Sequence, residues 1–103
     1  MCRMFAEQDM SRYQPLTRRL RLNGQSTSIR LERAFWAILD EIAAEEGMTT
    51  PAFLSRLHDE VLFRNGEVAN FTSLLRCACL TRTAMGAGAA LAARGAELAR
   101  RTA

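Results

Sequence analysis

The side chains with the clearest chemical use lie in a short stretch near residue 28. Ser26, Ser28 and Arg30 stand at every second position, with less polar residues between them. This period of two predicts a β-strand over about residues 27–31, with the three polar side chains on one face. An arginine guanidinium matches the two hydrogen-bond acceptors of guanine, and a serine hydroxyl can reach several base edges. These three side chains could therefore contact DNA bases.

A strand of this kind needs a partner, because its backbone N–H and C=O groups must be hydrogen-bonded. One candidate is the segment 18–22, which could fold back through the Asn-Gly turn signal at 23–24. The other candidate is the same strand of a second chain, laid antiparallel about a two-fold axis, and this is the pairing that we expect. A two-stranded ribbon fits the DNA major groove. Arg18, Arg19 and Arg21 precede the strand, and we expect them to contact phosphates.

Charge is distributed unevenly along the 103 residues, whose formal net charge is +3. Residues 1–31 carry six arginines and two acidic residues, residues 32–68 carry three and eight, and residues 69–103 carry five and one. Basic segments on a small protein favour a polyanion such as nucleic acid, or an anionic membrane surface. A merely solvated surface explains the clusters equally well.

Several classes of protein are disfavoured by what the sequence lacks. It has no run of eighteen apolar residues, so we expect no membrane span, and no secretory signal, so we expect a cytoplasmic protein. Three cysteines are an odd number for a disulfide framework. Cys77 and Cys79 are poorly spaced for zinc on a helix and are expected in the core. His58 has no nucleophile placed near it by spacing, so we expect no enzyme, metal or cofactor.

Three helices are expected after the strand. Apolar residues at helical spacing predict the first over about residues 33–46, with Trp36 in the core. Thr50, which precedes a proline, is expected to cap the second helix, which should end before the Asn-Gly pair at 65–66. A third helix should begin near Asn70. This order of elements is one strand followed by helices.

Three stretches carry a resemblance to a known family: STSIRLERAFW, AEEGMTTPAF and NFTSLLRCACL. Together they resemble the ribbon-helix-helix domain over about residues 18–81, and especially a bacterial subgroup with an SIRLE strand and an N-x-x-S-x-L-R start to a further helix. The resemblance implies an intertwined homodimer whose ribbon enters the major groove. It also implies that the N-terminus of the second helix clamps a phosphate, here with the N–H groups near Thr49, Thr50 and Ala52 and with the threonine hydroxyls.

The sequence thus predicts a mainly α protein of the ribbon-helix-helix class, with an added C-terminal helix and an antiparallel ribbon formed between subunits. We expect an irregular arm over 1–17, the domain over 18–81, and an Ala/Arg-rich tail over 82–103. The expected function is sequence-specific binding of double-stranded DNA by a transcriptional regulator. The alternative is a protein-interaction module, antitoxin-like or adaptor, which uses the same dimer and binds a second protein through its acidic face or tail.

Overall fold

The computed structural model describes residues 2–86, which form a β-hairpin packed on three helices. The elements in chain order are α1 Cys2–Ala6, α2 Met10–Tyr13, β1 Pro15–Leu22, β2 Gln25–Glu32, α3 Arg33–Glu45, α4 Thr50–Asn65 and α5 Phe71–Met85. The predicted class, mainly α with a two-stranded antiparallel ribbon followed by helices, is confirmed. Within residues 2–86, no helix is both long enough and apolar enough to cross a bilayer.

The ribbon of the described chain is a hairpin of β1 and β2, one of the two pairings that the sequence offered, and the pairing between subunits stays a prediction. β1 pairs antiparallel with β2 from Pro15 opposite Glu32 to Leu22 opposite Gln25. Asn23 and Gly24 form the turn with φ values of 53° and 85°. Positive φ at both central residues is the type I′ geometry, whose twist matches that of the strands. Because this turn closes a loop of only two residues, β1 reaches β2 at a lower entropic cost than a second molecule would.

The inner face of the hairpin supplies four of the nine residues in the buried core cluster. Alternate residues of both strands point inward, and α3, α4 and α5 cover them. The buried cluster consists of Leu20, Leu22, Ile29, Leu31, Trp36, Leu39, Leu54, Leu75 and Cys79. Trp36 is only 1% exposed, and its Nε1–H donates to the Leu16 carbonyl oxygen at 2.8 Å. The core position expected for Trp36 is therefore confirmed, and it fixes α3 against β1.

Helix boundaries differ from expectation mainly at the start of α4. The N-cap is Thr49, whose Oγ1 accepts from the Ala52 N–H at 3.3 Å, and Thr50 is the first helical residue. The cap expected at Thr50 thus lies one residue earlier. At the other end, α4 stops at Asn65, and Gly66 adopts a φ of 77° as its C-cap. α5 begins at Phe71, directly after Asn70.

The two ends of the chain differ from the sequence-based outline. The segment 1–17, expected to be irregular, contains the short helices α1 and α2, and β1 already begins at Pro15. Asp9 caps α2 by accepting from the Ser11 N–H at 3.0 Å. Most of the predicted tail over 82–103 lies outside the described residues, but α5 extends into it as far as Met85.

Candidate nucleic-acid interface

The outer face of the hairpin gathers six polar, exposed side chains. Because strand residues alternate between faces, the residues between the buried leucines and isoleucine all point away from the helices. They are Thr17, Arg19, Arg21, Ser26, Ser28 and Arg30. The set contains three guanidinium groups and three hydroxyls; the next residue of the same alternation on β2, Glu32, is half-buried and bound to Arg76. All three predicted base-contacting residues and two of the three predicted phosphate-binding arginines lie on this face.

Cross-strand register brings these side chains into three pairs. Thr17 lies opposite Arg30, Arg19 opposite Ser28, and Arg21 opposite Ser26. In an antiparallel ladder the pairs alternate between hydrogen-bonded and non-hydrogen-bonded types. A two-residue turn closes on a hydrogen-bonded pair at Leu22 and Gln25, so the three outward pairs are of the non-hydrogen-bonded type. Their side chains therefore lie close together, with Cα atoms about 4.5 Å apart.

The same register leaves β2 with an open edge. In non-hydrogen-bonded pairs the backbone N–H and C=O groups point away from the partner strand. Ser26, Ser28 and Arg30 therefore direct their backbone groups outward along the side of β2 that β1 does not occupy. Within residues 2–86, no backbone hydrogen bond to another element engages these three residues. An exposed row of this kind is a template for pairing with another strand.

The three outward arginines have few partners within the chain. Arg21 donates through Nη1 to the Gly24 carbonyl oxygen at 3.3 Å. Within residues 2–86, neither Arg19 nor Arg30 forms a salt bridge; Glu32, the carboxylate nearest Arg30 in sequence, is instead held by Arg76. Their guanidinium donors therefore face solvent and can meet a ligand without first breaking an ion pair.

Arg18, expected to contact a phosphate, lies on the opposite face of the hairpin from Arg19. Its Nη1 and Nη2 donate to the two carboxylate oxygens of Asp40 at 2.8 and 2.9 Å. The guanidinium carbon also lies 4.5 Å from the centroid of the Trp36 ring, within cation–π range. Arg18 has the same parity as the buried Leu20 and Leu22. Residues two apart on a strand share a face, so the sequence itself indicates an inward side chain for Arg18.

The N-terminus of α4 has fewer free hydrogen-bonding groups for a phosphate than the resemblance implied. Thr49 Oγ1 accepts from the Ala52 N–H, and Thr49 O accepts from the Phe53 N–H at 2.9 Å. Pro51 has no N–H. Thr50 Oγ1 donates to Asp40 Oδ1 at 2.7 Å, which places a carboxylate beside the helix end. The Ala52 N–H expected to be free is thus engaged, and so is the Thr50 hydroxyl.

Asp40 is the carboxylate that joins three elements beneath the hairpin. The Arg18 guanidinium, and to a smaller extent the Thr50 hydroxyl, hold the pKa of Asp40 below its ordinary value of 3.8. Asp40 therefore remains ionised at neutral pH. It connects β1 to α3 and to the start of α4, and so fixes the hairpin on the helices.

The tip of the hairpin is anchored on α4, a set of contacts that the sequence did not indicate. The backbone N–H of Asn23 donates to Ser55 Oγ at 3.3 Å, and Ser55 Oγ in turn donates to the Arg21 carbonyl oxygen at 3.3 Å. Asn23 Nδ2 donates to Asp59 Oδ1 at 2.8 Å, and it lies 3.5 Å from His58 Nδ1. The hairpin is thus held at its tip as well as along its inner face.

The base of the hairpin is held by a further ion pair. Arg76 of α5 binds both carboxylate oxygens of Glu32 at the end of β2, at 3.0 and 3.3 Å. This guanidinium is the main reason that the pKa of Glu32 lies below its ordinary value of 4.5. Within residues 2–86, no group of three His, Cys, Asp or Glu side chains is arranged to hold a metal ion. Cys79 is buried as expected, whereas Cys77 is exposed.

Comparison with known proteins identifies the family to which this architecture belongs. A family model described as a ribbon-helix-helix domain matches residues 15–83. The chain belongs to the ribbon-helix-helix family. The match begins where β1 begins and ends within α5, so the family domain includes the hairpin and all three long helices. Members of the ribbon-helix-helix family are generally DNA-binding regulators and typically form homodimers.

A solved structure is similar to this ribbon-helix-helix protein over most of its length. It is that of an uncharacterized protein from Bordetella pertussis Tohama I, with 45% sequence identity and a TM-score of 0.79. The alignment covers 82% of this chain and 68% of that chain. No curated protein matches the chain.

Proposed function

We propose that this ribbon-helix-helix protein binds double-stranded DNA in the major groove with the outer face of its hairpin, as a transcriptional regulator. The observation that carries the proposal is the composition of that face. Its six exposed polar side chains comprise three guanidinium groups and three hydroxyls, and Glu32, the carboxylate that continues the same alternation at the end of β2, is half-buried and bound to Arg76. Guanidinium groups bind phosphates and the acceptor pair of guanine, and hydroxyls contact either bases or phosphates.

The open edge of β2 supports binding as a homodimer. A second copy laid antiparallel along this edge would extend the hairpin into a four-stranded sheet, with the two β2 strands at its centre. With strands about 4.8 Å apart, the two outer β1 strands would lie about 14 Å from each other. The major groove is about 12 Å wide. The central strands would therefore lie over base edges, and the outer strands over the phosphates that border the groove.

This arrangement assigns different roles to the two strands. Ser26, Ser28 and Arg30 on β2 contact bases, and Arg19 and Arg21 on β1 contact phosphates. A two-fold axis through Ser28 would place Arg30 opposite Ser26 of the second copy, so that like charges do not face each other across the new strand pair. The Arg18 guanidinium and the hydroxyls of Thr49 and Thr50 are left out of the interface, because these groups are engaged within the chain.

The test begins with selection of genomic fragments that the parent protein binds, followed by fluorescence anisotropy on a selected site. Arg30→Ala should lower the discrimination between that site and random DNA by about 1–3 kcal/mol. Arg19→Ala should weaken binding to both DNAs alike and reduce the log–log salt slope by about 0.9 for each phosphate that it no longer neutralises. The matched control is Arg12→Ala, which removes the same charge from the exposed α2 helix and should change little.

Three results would contradict the proposal in different ways. Absence of any complex with the parent protein at low salt would reject DNA binding, and co-purification of a stoichiometric protein would then favour the interaction-module alternative. Equal losses of affinity in Arg12→Ala and Arg30→Ala would indicate general electrostatic attraction. A reduced salt slope without loss of discrimination in Arg30→Ala would make Arg30 a phosphate contact.

A further inference from the structure

Glu32 is the acidic residue at which the outward alternation of β2 ends. It follows Ser28 and Arg30 at the same spacing of two, so it stands on the side of β2 that belongs to the outer face of the hairpin. Pro15, its cross-strand partner, carries no charge. Glu32 also occupies the N-cap position of α3, but its side chain makes no capping hydrogen bond. The helix end therefore does not fix this carboxylate.

Arg30 lies within reach of Glu32. A strand rises about 3.3 Å per residue, so the Cα atoms of these two residues are about 7 Å apart on one side of β2. Side chains as long as those of arginine and glutamate can meet across that distance. The hydrogen bonds from Arg76 are the largest cause of the low pKa of Glu32, and the positive charge of Arg30 is a smaller one. Within residues 2–86, however, Arg30 and Glu32 form no salt bridge.

Arg76 of α5 is the residue that keeps the two apart. Its Nε donates to Glu32 Oε1 at 3.0 Å, and its Nη2 donates to Glu32 Oε2 at 3.3 Å. A bidentate pair of this kind engages both carboxylate oxygens and fixes their orientation. Both side chains are only partly exposed, so salt and water screen the pair incompletely. The carboxylate is thus turned toward α5 and away from Arg30.

We infer that Arg76 is a positioning residue for DNA binding, which holds the Glu32 carboxylate away from Arg30 and so leaves the Arg30 guanidinium available to a base. The inference rests on the proposed function and assigns that site a residue outside the hairpin. Without Arg76, Glu32 would pair with Arg30 and would add a negative charge to a face that meets phosphates. Arg76 acts through Glu32, and this role needs no contact between Arg76 and DNA.

The first experiment is fluorescence anisotropy on the selected genomic site and on random DNA. Arg76→Ala should lower the discrimination between the two DNAs by about tenfold, a loss within the range expected for Arg30→Ala. Glu32→Gln should keep the parent's discrimination. The double variant Glu32→Gln, Arg76→Ala should recover it, because no carboxylate then remains to pair with Arg30.

The matched control is Arg82→Ala, which removes another guanidinium of α5 that is paired with a carboxylate of α3, that of Glu45. It should leave discrimination unchanged. The double variant also lacks the ion pair between α5 and β2, so a purely structural role of Arg76 would leave it as weak as Arg76→Ala. That result would overturn the inference, as would an Arg76→Ala variant with the parent's discrimination.

A second experiment needs no DNA, and it separates this inference from the proposed function. It is an NMR titration of the Glu32 side-chain carboxyl. Adding Arg30→Ala should raise the pKa of Glu32 more in the Arg76→Ala background than in the parent, because Arg30 has become the partner of the carboxylate there. Equal changes in the two backgrounds would overturn the inference. If the parent formed no complex with DNA, the proposed function would fail, and this titration would still decide whether Arg76 keeps Glu32 from Arg30.

Discussion

Arg18 and Arg19 are adjacent in the chain, and their surroundings are opposite. Arg18 points inward, binds both oxygens of Asp40 and lies against the Trp36 ring. Arg19 points outward from the same strand, and within the described residues it has no carboxylate partner. One step along a strand moves a side chain to the other face. The same residue type thus serves the structure at one position and remains available to a ligand at the next.

This difference extends to the whole molecule. Beneath the hairpin, Arg76 binds Glu32 and Arg82 binds Glu45, so ion pairs connect α5 to the end of β2 and to α3. On the outer face of the hairpin, by contrast, the arginines form no salt bridge within the described residues. The helical body uses arginine to fix the position of the hairpin, and the hairpin presents arginine to solvent. A rigid support with unpaired donors is what a nucleic-acid interface requires.

The largest loss of stability should come from substitution of Trp36, which supports the inner face of β1. Trp36→Ala should lower the free energy of unfolding by about 3–5 kcal/mol, because it leaves a cavity and removes the surface beneath Arg18. Urea denaturation measures this decrease. If the alanine variant does not fold, Trp36→Phe should still cost about 1 kcal/mol, because it removes the hydrogen bond to the Leu16 carbonyl oxygen. An unchanged urea midpoint in both variants would show that Trp36 does not hold β1 in place.

The outer face of the hairpin was largely predictable from the sequence, because strand alternation is a local property. Ser26, Ser28 and Arg30 were assigned to one face from their period of two, and the structure places them there. The same rule applied to β1 indicates that Arg18 points inward with Leu20. The strand that pairs with β2 was harder to predict, because the Asn-Gly signal and the family resemblance indicated different pairings.

Contacts between distant segments could not be predicted in this way. The hydrogen bond from Thr50 to Asp40 depends on how α3 and α4 meet, and the anchoring of Asn23 on Asp59 depends on how the hairpin packs. Neither follows from spacing along the chain. As a result, the phosphate clamp at the start of α4, which rested on resemblance, has two of its expected groups engaged within the folded chain.

A substitution at each of the neighbouring arginines tests the comparison directly. Arg18→Ala should destabilise the fold by about 1–2 kcal/mol, because it removes a partly exposed bidentate ion pair and a cation–π contact. Arg19→Ala should change stability by no more than about 0.5 kcal/mol. Both variants lose one positive charge and a side chain of the same size, so each is the control for the other. Urea denaturation of the two at pH 7 provides the measurement. Equal losses of stability would remove the distinction between the two faces.

The smallest expected effect is on how stability depends on pH. It tests the ion pairs beneath the hairpin through their carboxylates rather than through their arginines. Asp40 and Glu32 both have a lower pKa in the folded protein than their ordinary values of 3.8 and 4.5, chiefly because Arg18 and Arg76 bind them. The folded state therefore binds fewer protons than the unfolded state as these groups titrate. Their contribution to stability is present above the ordinary pKa values and is lost as the pH falls through the lower, folded-state values.

Urea midpoints measured from pH 6 to pH 3 should accordingly fall less steeply for an Asp40→Asn, Glu32→Gln double variant than for the parent. Asp9, whose pKa is also lowered by its bonds to Ser11, is retained in both proteins and contributes equally to the two curves. Arg19→Ala is the control and should follow the parent's pH dependence, because its guanidinium binds no carboxylate within the described residues. If the double variant followed the parent's curve as well, the ion pairs beneath the hairpin would contribute nothing to its attachment. The hairpin would then be held by its apolar inner face and its tip alone.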